Sequence, residues 1–151
     1  MPQFNKILCP VFDKNSLLAL QIATELAHER KATLHLLHVV AMPPGPEVAL
    51  SSGKMEAAAR TKLERLALDK VKGKAHYQVE VMMGDPGVEV LQAAKRLGAD
   101  LILMATHGRK GLRRLVLGSV AEHVVREAPC PVLTVRPKAP AEKSSPTRRA
   151  K

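Results

Sequence analysis

The stretch ADLILMATHGRKGLRRLVLGSVAEHVV, residues 99–125, decides how this chain folds. Its first part, Leu101–Ala105, is continuously apolar, as expected of a strand that is covered on both faces. A basic loop with two glycines follows, and a helical pattern of apolar residues begins after Gly118 and Ser119. A strand that leads through a loop into a helix is the building unit of a parallel α/β sheet.

The rest of the chain repeats this unit. Four further runs have strand character: Lys6–Val11, Thr33–Val40, His76–Met82 and Val132–Val135. The segments between the runs have helical periodicity, and the residues predicted to face inward are Leu17, Leu20, Ala23 and Ala27, then Met55, Ala59, Leu63 and Leu66, then Val90, Ala94 and Leu97, and last Ala121, Val124, Val125 and Ala128. The pattern predicts an α/β fold of five strands and four helices.

Residues at the ends of these segments suit helix caps and turns. Asn15 or Ser16 can open the first helix, Asp85 can open the third, and Gly98 can close the third. Residues 41–54, which are rich in Pro, Gly and Ser, are predicted to form a long loop after the second strand. Loops of that length often serve as lids or binding surfaces.

The composition of the strands predicts their order. The first and fourth strands are continuously apolar and belong at the centre, whereas His76–Met82 alternates polar and apolar residues, which is typical of a half-exposed edge. With right-handed connections, this gives a doubly wound, open parallel sheet of five strands in the order 3-2-1-4-5, with helices on both faces. We expect a ligand crevice between strands one and four, where the winding reverses, beside residues 11–13 and 105–111.

Length and composition favour one domain with a tail. The 151 residues are 46% hydrophobic, enough for a core, but only 2% aromatic, so the stacking of bases on aromatic side chains is nearly excluded. The net charge is +10, and residues 138–151 hold five of the 24 lysines and arginines but a single acidic residue. We therefore predict a folded domain over residues 1–137 and a basic, disordered tail over residues 138–151, with weak, non-specific nucleic-acid binding as a possible property of the tail.

Two features of the sequence indicate the compartment. Cys9 and Cys130 lie within apolar runs, a pattern typical of reduced intracellular proteins, so no disulfide is expected. The N-terminus lacks the pattern of a signal peptide, and no apolar stretch approaches the roughly 18 residues that a membrane span needs. We expect a cytoplasmic protein.

The loop after the fourth strand and the start of the fourth helix suit phosphate. Gly108 and Gly111 let backbone N–H groups approach an anion, and the helix that begins at Gly118 and Ser119 offers further N–H groups and the positive end of its dipole. Ser119 and Glu122 also fit a capping box, in which each satisfies a backbone donor of the same helix. Capping and phosphate binding are compatible, and both interpretations stay open here.

Residues 5–136 resemble a universal stress protein domain, through the segments ILCPV, LLHVV, GDP, ADLILMATHG, LGSVAEHVV and PCPVLTVRP. Nucleotide-binding members carry a glycine, two residues, a second glycine, nine residues and then Gly-Ser or Gly-Thr. Here Gly108, nine further residues and Gly118-Ser119 match the later part, while Ala105 takes the first position. Alanine there costs on the order of 1 to 2 kcal/mol if a positive φ is required, and nothing if only small size matters.

The resemblance implies that the crevice binds ATP or a related adenine nucleotide, with or without Mg²⁺. In similar proteins an acidic residue directly after the Pro-Val of strand one contacts the adenosine; here Phe12 takes that place and Asp13 follows, so Asp13 either reaches the ligand or only caps the first helix. Val39 matches a position that lies against the base, with core packing as the alternative. His107 either approaches a phosphate or orients the loop. The implied binding residues are Pro10, Val11, Asp13, Val39, Ala105, His107, Gly108, Arg109, Gly111, Gly118, Ser119 and Val120.

A binding or signalling module of the stress response is favoured over an enzyme. The segment 105–119 contains no Asp or Glu to hold a metal, so at most a slow ATPase is expected. The alternative is a stress-domain protein that binds no nucleotide and acts through protein contacts. A homodimer is expected in either case, because Val132, Leu133, Thr134 and Val135 would form an apolar edge strand with unpaired backbone groups, and the resemblance points the same way.

Other sites are disfavoured by the sequence. His35 and His38 resemble a metal pair, but a spacing of three residues in a strand directs them to opposite faces. Neither GxxxxGK[ST] nor GxGxxG occurs, which disfavours a P-loop NTPase and a Rossmann dehydrogenase. A phosphorylated receiver domain needs more clustered carboxylates than Asp13 and Asp85 supply.

Overall fold

The computed structural model describes residues 3–42, 45–46, 48–106 and 118–137. These residues alternate between strand and helix, as the sequence predicts. The elements are β1 (Lys6–Pro10), α1 (Leu17–Arg30), β2 (Thr33–Val40), α2 (Val48–Lys70), β3 (His76–Met83), α3 (Pro86–Leu97), β4 (Leu101–Ala105), α4 (Ser119–Glu127) and β5 (Val132–Val135). A short 3₁₀ helix, Lys14–Ser16, precedes α1.

The strands form one parallel sheet in the order β3-β2-β1-β4-β5. β2 and β3 pair over their whole length, from Thr33 opposite His76 to Val40 opposite Met83. The predicted strand order is confirmed, and so is the central position of the two continuously apolar strands, which leaves the alternating strand β3 at an edge.

Two helices cover each face of the sheet. On what we call the α1–α2 face, Ile7 and Leu36 pack with buried residues of α1 and α2. On the opposite, α3–α4 face, Leu8 and Leu37 pack with buried residues of α3 and α4. Neighbours in a strand thus belong to different cores, because successive side chains point to opposite faces.

Three residues that the helical periodicity places inside are exposed: Leu17 by 41%, Met55 by 38% and Val125 by 46%. The predicted inward position is wrong for each. Leu17 is the first residue of α1, and Met55 lies in the first half of the 23-residue α2, which at about 35 Å is longer than the strands it covers. Val125 lies about 100° around α4 from the buried Val124, at the flank of the apolar stripe.

The connection from β2 to α2 is shorter than the predicted loop. Residues 48–54 are helical, so the prediction of a loop over residues 41–54 is wrong in its second half. Ser51, Ser52 and Gly53 are poor helix formers, but each costs at most about 1 kcal/mol relative to alanine. The long helix behind them, anchored by the buried Leu63 and Ala67, outweighs that cost because helix growth is cooperative.

Both cysteines are free thiols. Cys9 is fully buried in the core of the α1–α2 face, and burial raises its pKa to about 12. Cys130 is half-buried, and its pKa is raised by burial and, to a lesser extent, by the charge of Asp100. Within the described ranges, no helix is long and apolar enough to cross a membrane.

Candidate functional site

The turn after β1 is held by hydrogen bonds between its own residues. Asp13 Oδ1 accepts a hydrogen bond from the amide of Asn15 at 2.8 Å and caps the 3₁₀ helix, so a capping role for Asp13 is confirmed, although not on α1. Ser16 stands at the cap position of α1 but makes no side-chain cap there, because its Oγ accepts from the amide of Phe12 at 3.1 Å. The tight turn holds Asp13 at the carboxyl edge of the sheet.

A cavity of about 210 Å³ opens beside this turn, on the α1–α2 face. Two of the expected binding residues, Val11 and Asp13, line it. His38 Nδ1 donates to the carbonyl oxygen of Val11 at 2.6 Å and so fixes the wall between β1 and β2. The other lining residues are Phe12, Lys14, Leu17, Ala59, Lys62, Leu63 and Leu66. The sequence analysis did not predict that His38 and residues of α2 line this cavity. The signal for His38 was a histidine near the end of a mostly apolar strand.

Val39 lies on the opposite side of the sheet from this cavity. It is 4% exposed and belongs to the core of the α3–α4 face, so its core-packing role is confirmed. Phe12 and Val120, both half-buried, pack against the same core. Because Pro10 pairs with Leu37, continuing that register by two residues sets Phe12 beside Val39. An apolar surface formed by Phe12, Val39 and Val120 therefore lies at the carboxyl edge.

Ala105, the last residue of β4, stands where the family pattern has its first glycine. Ala105 is half-buried and extended, and Lys31 is the sole residue other than glycine with a positive φ in the described part of the chain. Ala105 therefore carries no strain of that kind in this structure. The next residue, Thr106, donates its amide to the carbonyl oxygen of Val135 at 2.9 Å, which ties β4 to β5.

Among the described residues, no side chain caps the start of α4. Its N-cap is Gly118 and not Ser119, and no side chain bonds to the first turn from that position. The predicted capping box does not form, because Glu122 Oε1 instead accepts from Arg126 Nη2 at 2.7 Å. Ser119 is exposed. The first N–H groups of an α-helix have no partner within the helix, so this end suits an anion.

The remaining expected residues, His107, Gly108, Arg109 and Gly111, lie outside the described residues. The described ones lie on both faces of the carboxyl edge: Val11 and Asp13 line the cavity on the α1–α2 face, whereas Val39 and Val120 pack on the α3–α4 face. Continuing the β1–β4 register from Leu8 opposite Ile102 sets Ala105 beside Val11. In the described ranges, no three side chains of His, Cys, Asp or Glu are placed to hold a metal ion. His35 and His38 line different cavities on opposite faces, as their spacing predicts.

The sequence profile of the universal stress protein family matches residues 3–136. The chain belongs to the universal stress protein family. Universal stress protein MJ0531 of Methanocaldococcus jannaschii is 36% identical to it over 141 residues, an alignment that covers 88% of this chain and 82% of that relative.

Solved structures share the fold of this universal stress protein. The structure of MJ0577 has a TM-score of 0.74 at 27% identity and covers 91% of this chain and 99% of its own. A universal stress protein in complex with cAMP has a TM-score of 0.70 at 22% identity, with 89% and 99% covered. One from Archaeoglobus fulgidus in complex with dAMP has a TM-score of 0.56 at 16% identity, with 89% and 98% covered. The last two are similar in fold alone.

Proposed function

We propose that this universal stress protein domain binds ATP or a related adenine nucleotide at the carboxyl edge, between β1 and β4. The phosphates lie on the start of α4 and on residues 107–117, and the adenosine lies against residues of β1 and β2. One observation carries the proposal: the N-cap of α4 is Gly118, no side chain of the described residues caps its first turn, and this helix follows β4 at the point where the winding of the sheet reverses.

The start of α4 cannot supply the affinity alone. A helix end contributes roughly 0.3 to 1 kcal/mol per charge, and up to about 2, whereas micromolar binding needs about 8 kcal/mol. The proposal therefore requires several backbone N–H contacts from Gly108 and Gly111, cations such as Arg109, and burial of the adenosine. His107 either contacts a phosphate or orients the loop.

The adenosine has apolar surface to lie against. Val39 and Val120 border the carboxyl edge on the α3–α4 face, the same face on which α4 begins. Asp13 stands at the end of β1 with its carboxylate directed at a backbone amide, so we propose that it faces the ribose while capping its own turn. Ala105 leaves the room that a larger side chain would fill.

The related complexes with cAMP and dAMP support an adenine nucleotide as the class of ligand. We propose that the bound nucleotide makes the domain a binding or signalling module of the stress response. Any hydrolysis would be slow, because residues 105–119 offer no carboxylate to hold Mg²⁺, which would then be bound through the phosphates. The cytoplasmic location stays a prediction from the sequence.

Titration calorimetry of the full chain tests the proposal, with ATP, AMP and cAMP as ligands and GTP as the control for the base. Saturable binding of the adenine nucleotides, tighter than that of GTP, is expected. A folded protein that binds none of them at about 1 mM would refute the proposal. Denaturing the protein as purified and identifying any released nucleotide gives an independent answer.

The second candidate function is a stress-domain protein that acts through protein contacts without nucleotide. The observation that favours it is Phe12, an aromatic side chain packed against the core at the position where similar proteins carry an acidic residue. If the Phe12 side chain fills the space that adenine would occupy, the crevice has no room for the nucleotide base. A Phe12→Asp variant that gains ATP binding absent from the wild type would establish this alternative.

We also propose a homodimer through β5 under either function. β5 is an edge strand whose Leu133 is 44% exposed. Pro131 and Val135 accept hydrogen bonds from β4, so the backbone groups of Val132 and Thr134 point outward and are available to a second copy. The family match ends at residue 136, which supports our placing the end of the domain at residue 137 and the basic tail after it.

A further inference from the structure

A second cavity, of about 230 Å³, lies on the α3–α4 face of the sheet, where β2 and β3 meet the end of α3, and it shares no lining residue with the proposed nucleotide crevice. We call it the His35 cavity. It is lined by Leu8, His35, Leu36, Leu37, Gln78, Val79, Glu80, Arg96 and Leu97. Its walls come from three strands and the end of α3, so it is formed only by the complete fold.

The strand register explains the chemistry of the cavity walls. Leu8, His35 and Gln78 form one row across β1, β2 and β3, and Leu37 and Glu80 form the next row. All five point to the α3–α4 face, because they occupy equivalent positions in neighbouring strands. The cavity therefore has an apolar side towards β1 and a polar side towards the edge strand β3.

The polar side contains a buried nitrogen without a partner. His35 is 8% exposed, and its Nε2 has no hydrogen-bond partner among the described residues. Leaving a buried donor or acceptor unsatisfied is costly, and such groups in folded proteins usually have a water or a ligand as partner. Burial lowers the pKa of His35, Lys6 and Arg96 act in the same direction and Glu80 opposes them, so the ring is neutral and carries one N–H.

The charges around His35 favour an anion. Arg96 Nη2 donates to Glu80 Oε1 at 2.5 Å, and this one bond does not exhaust the five donors of the guanidinium. Lys6 Nζ donates to the carbonyl oxygen of Leu97 at 3.0 Å, beside the cavity. The cavity lining itself holds one cation and one carboxylate, and Lys6 just outside it gives the surroundings of His35 a surplus of one positive charge.

We propose that the His35 cavity binds a small aliphatic carboxylate. The carboxylate head accepts from Arg96 and from the Nε2–H of His35, and the hydrocarbon part lies against the partly buried Leu97, above the covered Leu8 and Leu37. At about 30 Å³ for each heavy atom, the volume that a water occupies, the cavity suits a ligand of about seven heavy atoms, such as pentanoate. Inorganic phosphate lacks the apolar part and carries more charge than the cavity balances. A metal ion is disfavoured by the two cations.

Titration of the full chain with acetate, pentanoate and inorganic phosphate, followed by the imidazole signals of His35 in NMR spectra, tests the proposal. Pentanoate should shift these signals saturably and raise the pKa of His35, because a neighbouring anion favours the charged ring. Affinity should rise about fourfold for each methylene added between acetate and pentanoate. The signals of His38, on the opposite face, serve as the internal control and should not move.

Two matched variants assign the site. Arg96→Met should weaken pentanoate binding at least tenfold, whereas Arg60→Met, which also removes an exposed helical arginine paired with a glutamate, should leave it unchanged. Unchanged His38 signals in both variants show that the fold is intact. No shift of His35 at about 50 mM pentanoate, equal binding by Arg96→Met, or phosphate binding as tight as that of pentanoate would each overturn the proposal. ATP binding is measured separately and tests only the nucleotide crevice at the carboxyl edge.

Discussion

The amino and carboxyl edges of the sheet are stabilised differently. At the amino edge, side chains bond to backbone groups of distant elements: Asp100 Oδ2 accepts from the amides of Asn5 at 2.8 Å and Lys6 at 2.9 Å, and Lys6 in turn bonds to the end of α3. These bonds join the start of β1 to the segment between α3 and β4. The amino edge is therefore closed by charged side chains that satisfy backbone groups.

At the carboxyl edge, the side-chain bonds of the described residues are local: Asp13 accepts from the amide of Asn15, and Ser16 accepts from the amide of Phe12. Among the described residues, no side chain caps the first turn of α4, which starts after Gly118. Open N–H groups are a cost to stability and an advantage for binding an anion. The comparison implies that substitutions at the carboxyl edge change ligand affinity and that substitutions at the amino edge change stability. The predictions below test this separation, from the largest effect to the smallest.

Gly118→Val should abolish nucleotide binding and leave the melting temperature almost unchanged. A side chain at the cap of α4 blocks the close approach of phosphate to the backbone, while the φ of −53° and ψ of 157° at Gly118 are accessible to valine. Titration calorimetry with ATP and a thermal melt measure the two effects.

The control for Gly118→Val is Gly53→Val, on α2. A Cβ atom on Gly53 would meet nothing within 4 Å, so this variant should bind ATP as the wild type does. Undiminished binding by Gly118→Val would show that the phosphates lie elsewhere.

Thr134→Pro should turn the proposed dimer into a monomer. The amide that it removes points to the outer edge of β5, so the bonds between β4 and β5 remain. Sedimentation at tens of micromolar measures the change, and Thr134→Val, which keeps the amide, should stay dimeric. A wild-type protein that sediments as a monomer at this concentration contradicts the proposal.

Asp100→Ala should destabilise the fold by about 2 kcal/mol, because two backbone amides lose a charged acceptor. Its nucleotide affinity should not change. Denaturant unfolding measures the loss, and Asp69→Ala, an exposed aspartate whose neighbour Lys70 pairs with it at 3.6 Å, should cost less than 0.5 kcal/mol. Equal losses in the two variants would show that the amino edge is not held by Asp100.

The fold could be predicted because its determinants are local. Strand composition alone separates the buried β1 and β4 from the edge strand β3, and the caps at Asp85 and Gly98 are confirmed: Asp85 Oδ1 accepts from the amide of Val88 at 3.0 Å, and Gly98 has a φ of 62°. Helix bounds were less predictable. The start of α2 was missed because Ser51, Ser52 and Gly53 are typical of loops, and the helix through them depends on packing further along its length.

The site could be predicted only where it depends on spacing. The sequence brings Ala105 and Val11 to one edge through the strand order, and the structure confirms this placement. Which side chains cap which helix was not predictable, because Ser16 and Glu122 had two possible partners each and tertiary context selected one. The His35 cavity depends on a row across three strands, which no local pattern reveals.

Ser119→Ala should weaken ATP binding by about 1 kcal/mol, the usual value of one hydrogen bond, or roughly fivefold. Stability should be unaffected, because Ser119 is exposed and is not the cap of α4. Calorimetry on the variant beside the wild type resolves a change of this size. A loss of stability equal to the loss of affinity would mean that Ser119 serves the helix and not the ligand.

Removing residues 138–151 should have the smallest effect on either edge. The tail has too few apolar residues to offset the entropy of ordering, so truncation after Pro137 should leave the melting temperature and the ATP affinity almost unchanged. Any affinity for nucleic acid should fall with the truncation and weaken steeply as salt is added, because it rests on counterion release by lysines and arginines. A drop of several degrees in the melting temperature would show that the tail docks on the body. In that case the tail contributes to the stability of the domain. Stability would then depend on the tail as well as on the amino edge of the sheet.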